Sequence, residues 1–275
     1  MPVRSVGSLK IDYTDDGHGQ PVVAIHSSVS GNRQWRALTD SLKDRYRVVA
    51  VNLFGYGGTT PWPGPSPQSL YAQAQLIVAV CEELHGRIHL VGHSFGASVA
   101  LKAAKLLEAR VDKLILLEPN PFYLLKQNGR MRGFLESVEL RDHVKCYGAV
   151  GDWPRVAARF ADYWLGDGSW GAMPEKRRTA FIEALPPNVF EWDAVMHEET
   201  TIEEWSALTA RTLVVSDPAT RAPIREIVDL FTKRCSHWSF ASVVDGGHMA
   251  PVTRPDLVNP IVSEFLDSAP ANPSA

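Results

Sequence analysis

The chain has 275 residues, of which 45% are hydrophobic and 21% charged, so it is long enough to bury a large core without disulfide or metal support. Its 28 Lys and Arg against 31 Asp and Glu give a formal net charge of −3, which argues against a basic nucleic-acid-binding face. The three cysteines show no paired spacing, and the chain starts without an apolar leader, which together predict a cytoplasmic protein. The apolar runs are far shorter than the ~18 residues of a membrane span, so we expect no membrane binding. We expect either a monomer or a homodimer.

The N-terminal part of the chain alternates short apolar runs with helical patterns. Buried strands are predicted at residues 22–25, 47–51, 87–91 and 113–117. Helical spacing predicts helices over residues 31–42, 70–84 and 95–109. Residues 3–13, split by Gly7, predict an antiparallel edge. Continuous Val, Ile and Leu strands between helices indicate an α/β protein whose mostly parallel sheet is covered on both faces.

The alternation stops after the fourth of these strands. Residues 119–205 contain helical stretches and five of the eight tryptophans: Trp153, Trp164, Trp170, Trp192 and Trp205. Strands are predicted again at 211–216 and 240–244, and helices at 223–233 and 254–266. We therefore expect residues 1–118 and 206–275 to form one core, with residues 119–205 inserted as an aromatic helical lid over a small-molecule site.

A G-x-S-x-G motif, Gly92-His93-Ser94-Phe95-Gly96, lies between a predicted strand and a predicted helix. A sharp turn at this junction exposes the serine hydroxyl above the carboxyl ends of the strands. The helix N-terminus behind it favours developing negative charge. The motif in this context predicts Ser94 as a nucleophile.

His248 is the candidate base. A serine hydroxyl is a weak nucleophile near neutral pH, and a histidine can remove its proton. Gly246-Gly247-His248 follows a predicted strand, which puts this histidine in a loop at the carboxyl edge of the sheet. His26 and His93 lie beside the predicted site, and we interpret them as structural.

Four motifs in this chain resemble the α/β-hydrolase superfamily, in the branch with a helical cap after the sixth strand: HSSVSG at 26–31, NLFGYG at 52–57, GHSFGAS at 92–98 and GGHMAPVTRP at 246–255. The resemblance spans residues 5–266. It implies an eight-stranded sheet and a Ser–His–acid triad, with the histidine in the last loop.

The family resemblance also implies an oxyanion hole made by two backbone amides. One belongs to Phe95, the residue after the nucleophile. The other comes from the loop after the strand at 22–25, where the matching residue is Ser28. This chain has Ser27 where family members usually have glycine, so the loop conformation and the roles of both serine hydroxyls stay open.

The acid of the triad has two candidates. Family members most often carry an aspartate after the strand at 212–216, but that position is Ala219 here, and Asp217 lies two residues earlier. The other placement known in the fold follows the preceding strand, where this chain has Glu118. A carboxylate at the end of a buried apolar strand needs a partner, which favours Glu118. Asp217 alternatively forms an Asx turn with Pro218.

These residues predict a serine hydrolase that cleaves a small or medium apolar ester through an acyl-enzyme, with no metal or organic cofactor. Two alternatives stay open. Similar capped hydrolases cleave a carbon–carbon bond in vinylogous diketones, and some proteins of this fold are small-molecule receptors. Epoxide hydrolase and dehalogenase activities are disfavoured, because relatives with those activities use an aspartate nucleophile and position 94 is serine.

Overall fold

The computed structural model describes residues 2–64 and 66–269, and its described strands form one eight-stranded sheet. The strands are β1 (Val3–Val6), β2 (Leu9–Gly17), β3 (Gln20–Ile25), β4 (Tyr46–Val51), β5 (Ile88–His93), β6 (Val111–Leu117), β7 (Arg211–Ser216) and β8 (Ser239–Ser242). Their order across the sheet is β1-β2-β4-β3-β5-β6-β7-β8. β2 pairs antiparallel with both β1 and β4, in agreement with the antiparallel edge expected for residues 3–13, and the other neighbouring strands are parallel. The predicted fold class is confirmed.

Strand residues alternate between two buried layers, because successive side chains of a strand point to opposite faces of the sheet. In β3, Val23 and Ile25 pack into the larger hydrophobic cluster, and Val22 and Ala24 into the smaller one. A strand buried on both faces has no polar side, which is why these strands read as continuous apolar runs.

The described part of the chain contains thirteen α-helices. They are α1 (Arg36–Leu42), α2 (Leu70–Cys81), α3 (Phe95–Leu107), α4 (Tyr123–Gln127), α5 (Met131–Ala149), α6 (Trp153–Leu165), α7 (Ser169–Ala172), α8 (Glu175–Glu183), α9 (Asn188–Met196), α10 (Ile202–Ser206), α11 (Ala222–Arg234), α12 (Ala250–Thr253) and α13 (Pro255–Asp267). Within these residues, no helix has the length and apolarity needed to cross a membrane.

Several predicted boundaries differ from the structure; for example, the helix predicted over 70–84 ends at Cys81. Two of the differences lie near the loops after β3 and β8. The helix predicted over 31–42 starts as a 3-10 turn at Asn32–Trp35 and becomes α-helical at Arg36. The strand predicted at 240–244 ends at Ser242, so the loop that carries His248 is longer than expected. Asp245, in this loop, has φ of 59°, a left-handed conformation typical of a turn.

Between β6 and β7, the helices α4 to α10 follow one another, with no strand among the described residues. Their buried aromatic side chains join the larger hydrophobic cluster of the sheet, and include Phe160, Trp164, Trp192 and Trp205. Trp205 is fully buried, and Phe122 stacks on Trp192 with ring centroids 5.6 Å apart. This layer therefore shares one hydrophobic core with the sheet.

Candidate active site

Ser94 occupies the sharp turn between β5 and α3. Its φ of 53° lies in the left-handed region, a strained conformation for a residue with a side chain. The Ser94 amide donates to the Leu117 carbonyl at 2.8 Å, which ties the turn to the end of β6. A Cβ at Gly92 would overlap the backbone of α3, and one at Gly96 would overlap the Ile25 and His26 carbonyls. The glycines of the motif are therefore required by close backbone packing.

His248 is hydrogen-bonded on both sides of its ring. Nδ1 lies 3.1 Å from Glu118 Oε2, and Nε2 lies 2.9 Å from Ser94 Oγ. A carboxylate only accepts, so Nδ1 carries a proton, and the tautomer with its single proton there has its lone pair on Nε2. That lone pair faces the Ser94 hydroxyl. The arrangement allows His248 to take the serine proton and Glu118 to face the positive ring that results.

Glu118 follows the last residue of β6 and is 3% exposed. Oε1 accepts from the Asp217 amide at 2.6 Å, and Oε2 accepts from the Thr220 hydroxyl at 2.6 Å as well as from His248. All of these partners are hydrogen-bond donors, so the buried carboxylate is compensated. The geometry orients it towards the imidazole.

Asp217 lies close to this group, but its carboxylate points elsewhere. Oδ1 accepts from the Ala219 amide at 2.7 Å, which is the predicted Asx turn, and Oδ2 accepts from the Gly247 amide at 2.7 Å. The contact of Asp217 with Glu118 is made by its backbone amide. Asp217 therefore connects the loop after β7 to the loop of His248, and Glu118 is the carboxylate that reaches the ring.

A chain of hydrogen bonds supports His248 from behind. The Gln34 amide oxygen accepts from the Ser27 amide and hydroxyl, at 3.1 and 2.9 Å, so its nitrogen faces His93 Nδ1 at 3.1 Å. His93 Nε2 then donates to the His248 carbonyl at 2.9 Å. Burial, and secondarily the nearby His248, lowers the pKa of His93 to about 3, so this ring stays neutral.

His26 fastens the loop after β3. Its Nε2 accepts from the Leu53 amide at 3.1 Å, and its Nδ1 donates to the Ser27 carbonyl at 2.7 Å. Burial lowers the pKa of His26 to about 4, so it too is neutral near pH 7. Neither ring nitrogen is free for chemistry in this arrangement.

Ser28 and Phe95 line the same pocket as Ser94. Neither of their backbone amides donates a hydrogen bond to another described residue, whereas the Ser27 and Val29 amides are bound to Gln34 and to the Tyr56 hydroxyl. Val29 has φ of 58°, so the chain turns sharply just after Ser28. Two unpaired donors beside a serine hydroxyl are suited to an oxyanion.

Helices α6 and α9 form the outer wall of the pocket. Phe160 and Trp164, four residues apart on α6, face it, and α9 contributes the positions spaced i, i+3, i+4 and i+7: Asn188, Glu191, Trp192 and Val195. The Trp164 ring stacks on His248 with centroids 4.0 Å apart and planes inclined by 29°. The helical layer thus contacts the imidazole directly.

Sequence reasoning does not single out Gln34, Thr220 or Glu191. Gln34 and Thr220 carry no recognisable motif, because they act through partners remote in the chain. The helical spacing on α9 is a signal that could have found Glu191. Within the described residues, no group of three or more His, Cys, Asp and Glu side chains could hold a metal ion.

Comparison with known proteins places this geometry in a family. The model of the alpha/beta hydrolase family matches residues 22–261. Lipase LipV of Mycobacterium tuberculosis is 26% identical over 89% of this chain and 92% of its own length. The 2-hydroxy-6-oxo-6-(2'-aminophenyl)hexa-2,4-dienoic acid hydrolase of Metapseudomonas resinovorans is 28% identical over 41% of this chain and 40% of that protein.

A solved structure extends the likeness to the whole fold. The enol-lactonase of Burkholderia xenovorans superposes with a TM-score of 0.79 over 97% of this chain and all of its own, at 15% identity, which is a likeness of fold alone. The sheet order, the strained serine between β5 and α3, and a family match over most of the chain agree. This chain therefore belongs to the alpha/beta hydrolase family.

Proposed function

We propose that this protein is a serine hydrolase that cleaves a small or medium carboxylic ester. The observation that carries the proposal is the hydrogen-bonded series Ser94–His248–Glu118, buried at the base of a pocket with two unpaired backbone amides. The similarity to a lipase over nearly the whole chain supports ester chemistry.

In the proposed reaction, Ser94 Oγ attacks the ester carbonyl while His248 Nε2 takes its proton. The Ser28 and Phe95 amides hold the negative oxygen of the tetrahedral intermediate. His248 then gives the proton to the departing alcohol, which leaves an acyl group on Ser94. A water that loses its proton to His248 releases the acid and restores the serine.

Glu118 is the proposed acid of the triad. It lies within hydrogen-bond distance of Nδ1, whereas both Asp217 carboxylate oxygens accept from backbone amides. Asp217 is then a positioning residue for the loop of His248.

Residues 119–205 are proposed to be the cap over this site. Aromatic residues of α6 and α9 contact the pocket and the imidazole, and they narrow the access of a large substrate. This favours a small-molecule substrate over a protein. A reducing compartment such as the cytoplasm is the proposed location, supported by three free cysteines, of which two are buried.

Burst-phase kinetics with p-nitrophenyl esters of increasing acyl length test the proposal. We expect steady turnover by the wild type, and a loss of at least ~10⁴-fold in kcat for Ser94→Ala, because the nucleophile is removed. Ser41→Ala, at an exposed serine of α1, is the matched control and should retain full activity. Turnover retained by Ser94→Ala would contradict a serine mechanism.

Other outcomes would favour the alternatives. The partial match to a carbon–carbon hydrolase makes cleavage of a vinylogous diketone the second candidate. Cleavage of such a substrate without ester turnover would support it. A single burst without turnover would instead favour a receptor that reacts once with its ligand.

A further inference from the structure

The pocket in front of Ser94 is chemically asymmetric. Its walls are mostly aromatic or aliphatic, among them Phe122, Phe160, Trp164 and Trp192. A second group of lining residues is polar and belongs neither to the proposed triad nor to the two proposed donors of the oxyanion hole: Ser27, Asn120, Asn188 and Glu191. A buried carboxyl group in such a wall needs an explanation, since burying a charged or polar group without partners is costly.

Glu191 is 2% exposed, and its two carboxyl oxygens differ. Oε2 accepts from Asn188 Nδ2 at 2.8 Å. The orientation of this amide is fixed, because the Trp192 indole N–H, which only donates, binds Asn188 Oδ1 at 3.1 Å. Oε1 has no hydrogen-bond partner among residues 2–64 and 66–269.

Two hydroxyl groups lie near the Glu191 carboxyl without completing it. Burial raises the pKa of Glu191 above its usual value, although the Ser28 and Tyr56 hydroxyls and the Asn188 amide act to lower it. Neither hydroxyl has the distance and angle of a hydrogen bond to Oε1. Because Asn188 occupies Oε2 as a donor, any proton on the neutral carboxyl belongs on Oε1.

Oε1 is therefore a donor when the carboxyl is neutral and an acceptor when it is ionised. A hydroxyl group can pair with either form, since it both donates and accepts. A ketone or ether oxygen only accepts, an ammonium only donates, and an alkyl group does neither. The chemistry of this wall thus matches a hydroxyl better than any of these groups.

We propose that Glu191 is a specificity-determining residue and that the substrate is an ester bearing a hydroxyl group that pairs with Glu191 Oε1. The inference rests on the proposed ester hydrolysis at Ser94 and refines the class of ester. The apolar walls hold the carbon skeleton, and the unpaired oxygen selects the hydroxylated molecule. A polar site left unpaired by the wrong substrate is a strong source of discrimination.

Matched ester pairs test the proposal on the full chain. On the acyl side the pair is p-nitrophenyl butyrate and p-nitrophenyl 3-hydroxybutyrate, and on the alcohol side it is propyl butyrate and 2-hydroxyethyl butyrate. We expect kcat/KM of the wild type to favour the hydroxylated member of at least one pair by at least ~10-fold. Glu191→Met should reduce that preference to about 2-fold or less. The readout is the ratio of the two kcat/KM values within each pair, so a general change in rate does not affect it.

Glu191→Gln keeps the shape of the side chain and should retain part of the preference, which gives a second variant if the methionine protein folds poorly. Glu183→Gln, at an exposed glutamate of the same helical layer, is the matched control and should keep the full preference. Equal rates on both members of both pairs, or a preference unchanged in both Glu191 variants, would overturn the proposal.

A 2-aminoethyl ester preferred over the 2-hydroxyethyl ester would also overturn it, in favour of a cationic ligand. Failure of the underlying reaction has a different signature. In that case Ser94→Ala would hydrolyse the esters as fast as the wild type, or the wild type would hydrolyse none of them.

Discussion

The sheet and the helical layer α4 to α10 contribute to the pocket in different ways. The sheet places Ser94, Glu118 and His248 through backbone geometry, with two of them in left-handed conformations fixed by hydrogen bonds to neighbouring strands. The helical layer contributes side chains from one face each of α6 and α9. Position is set by the backbone in the first region and by side-chain packing in the second.

This difference separates reactivity from selectivity. The strand ends hold the proposed reacting atoms within hydrogen-bond distance, and small shifts there would be costly for the reaction. The helix faces determine which molecule fits, and they can change residue by residue without disturbing the sheet. Trp164 connects the two regions, because it lies on α6 and stacks on His248.

Apart from removal of the nucleophile, substitution of the proposed acid is expected to have the largest effect. Every hydrogen-bond partner of Glu118 is a donor, so Glu118→Gln places an amide NH₂ against a donor in either orientation. We expect kcat to fall by about 10³- to 10⁴-fold, as for loss of a carboxylate that orients a catalytic histidine. Steady-state kinetics on a p-nitrophenyl ester measure this effect.

Asp217→Asn is the companion variant for the acid. Because its carboxylate binds two backbone amides in loops, we expect a smaller fall, of about 10-fold. If Asp217→Asn lost as much kcat as Glu118→Gln, the assignment of the acid would be reversed.

Substitution of one glycine in each region by alanine compares how well the two regions tolerate an added Cβ. A Cβ at Gly96 would overlap the carbonyls of Ile25 and His26, whereas one at Gly171, in α7, would meet no atom within 4 Å. We expect Gly96→Ala to lower the free energy of unfolding by more than ~3 kcal/mol. Gly171→Ala should leave it unchanged or raise it by about 0.5–1 kcal/mol. Urea unfolding followed by circular dichroism gives both values, and equal stability of the two variants would contradict the close packing at Gly96.

The buried histidines of the sheet region predict a dependence of stability on pH. The pKa values of His26 and His93 are lowered from 6.5 to about 4 and about 3 by burial, so below pH 6.5 the unfolded chain binds protons that the folded chain does not. The contribution of these two histidines to the free energy of unfolding is therefore fully present above pH 6.5. It decreases as the pH drops towards 4, by about 1 kcal/mol per pH unit for each histidine. Urea midpoints at pH 7, 6 and 5 measure the slope.

His93→Gln should lower the stability at pH 7, because it removes two buried hydrogen bonds, and should flatten the slope between pH 6.5 and 4. His197→Gln changes a histidine on the exposed surface of the helical layer and is the control. A slope that His93→Gln leaves as steep as in the wild type would contradict the burial of a neutral ring.

Much of the sheet was predictable because its signals are local. Contiguous residues are enough to recognise the apolar runs of strand length, the helices between them and the glycines around Ser94. The family match and the sheet order agree with these features. Boundaries were less predictable, as at Asn32–Trp35 and Ser242, because hydrogen bonding at the end of an element depends on its neighbours.

The helical layer was predictable in content and not in detail. Its helical character and its aromatic residues follow from composition, but the sequence did not indicate that Trp164 would stack on His248 or that Glu191 would face the pocket. A side chain on an amphipathic helix packs against whatever lies opposite, and that partner is remote in the chain.

The sequence by itself determined the strand–turn–helix at Ser94, the histidine in a loop at the carboxyl edge and the α/β class. Each of these depends on residues that are close together in the sequence. Only the tertiary structure decided which carboxylate reaches His248, because Glu118 and Asp217 both follow strands and differ in where their side chains point. The same holds for Glu191, whose unpaired oxygen is defined by neighbours from several separate segments. Contacts between residues far apart in the sequence form only when the chain packs, so local sequence patterns do not predict them.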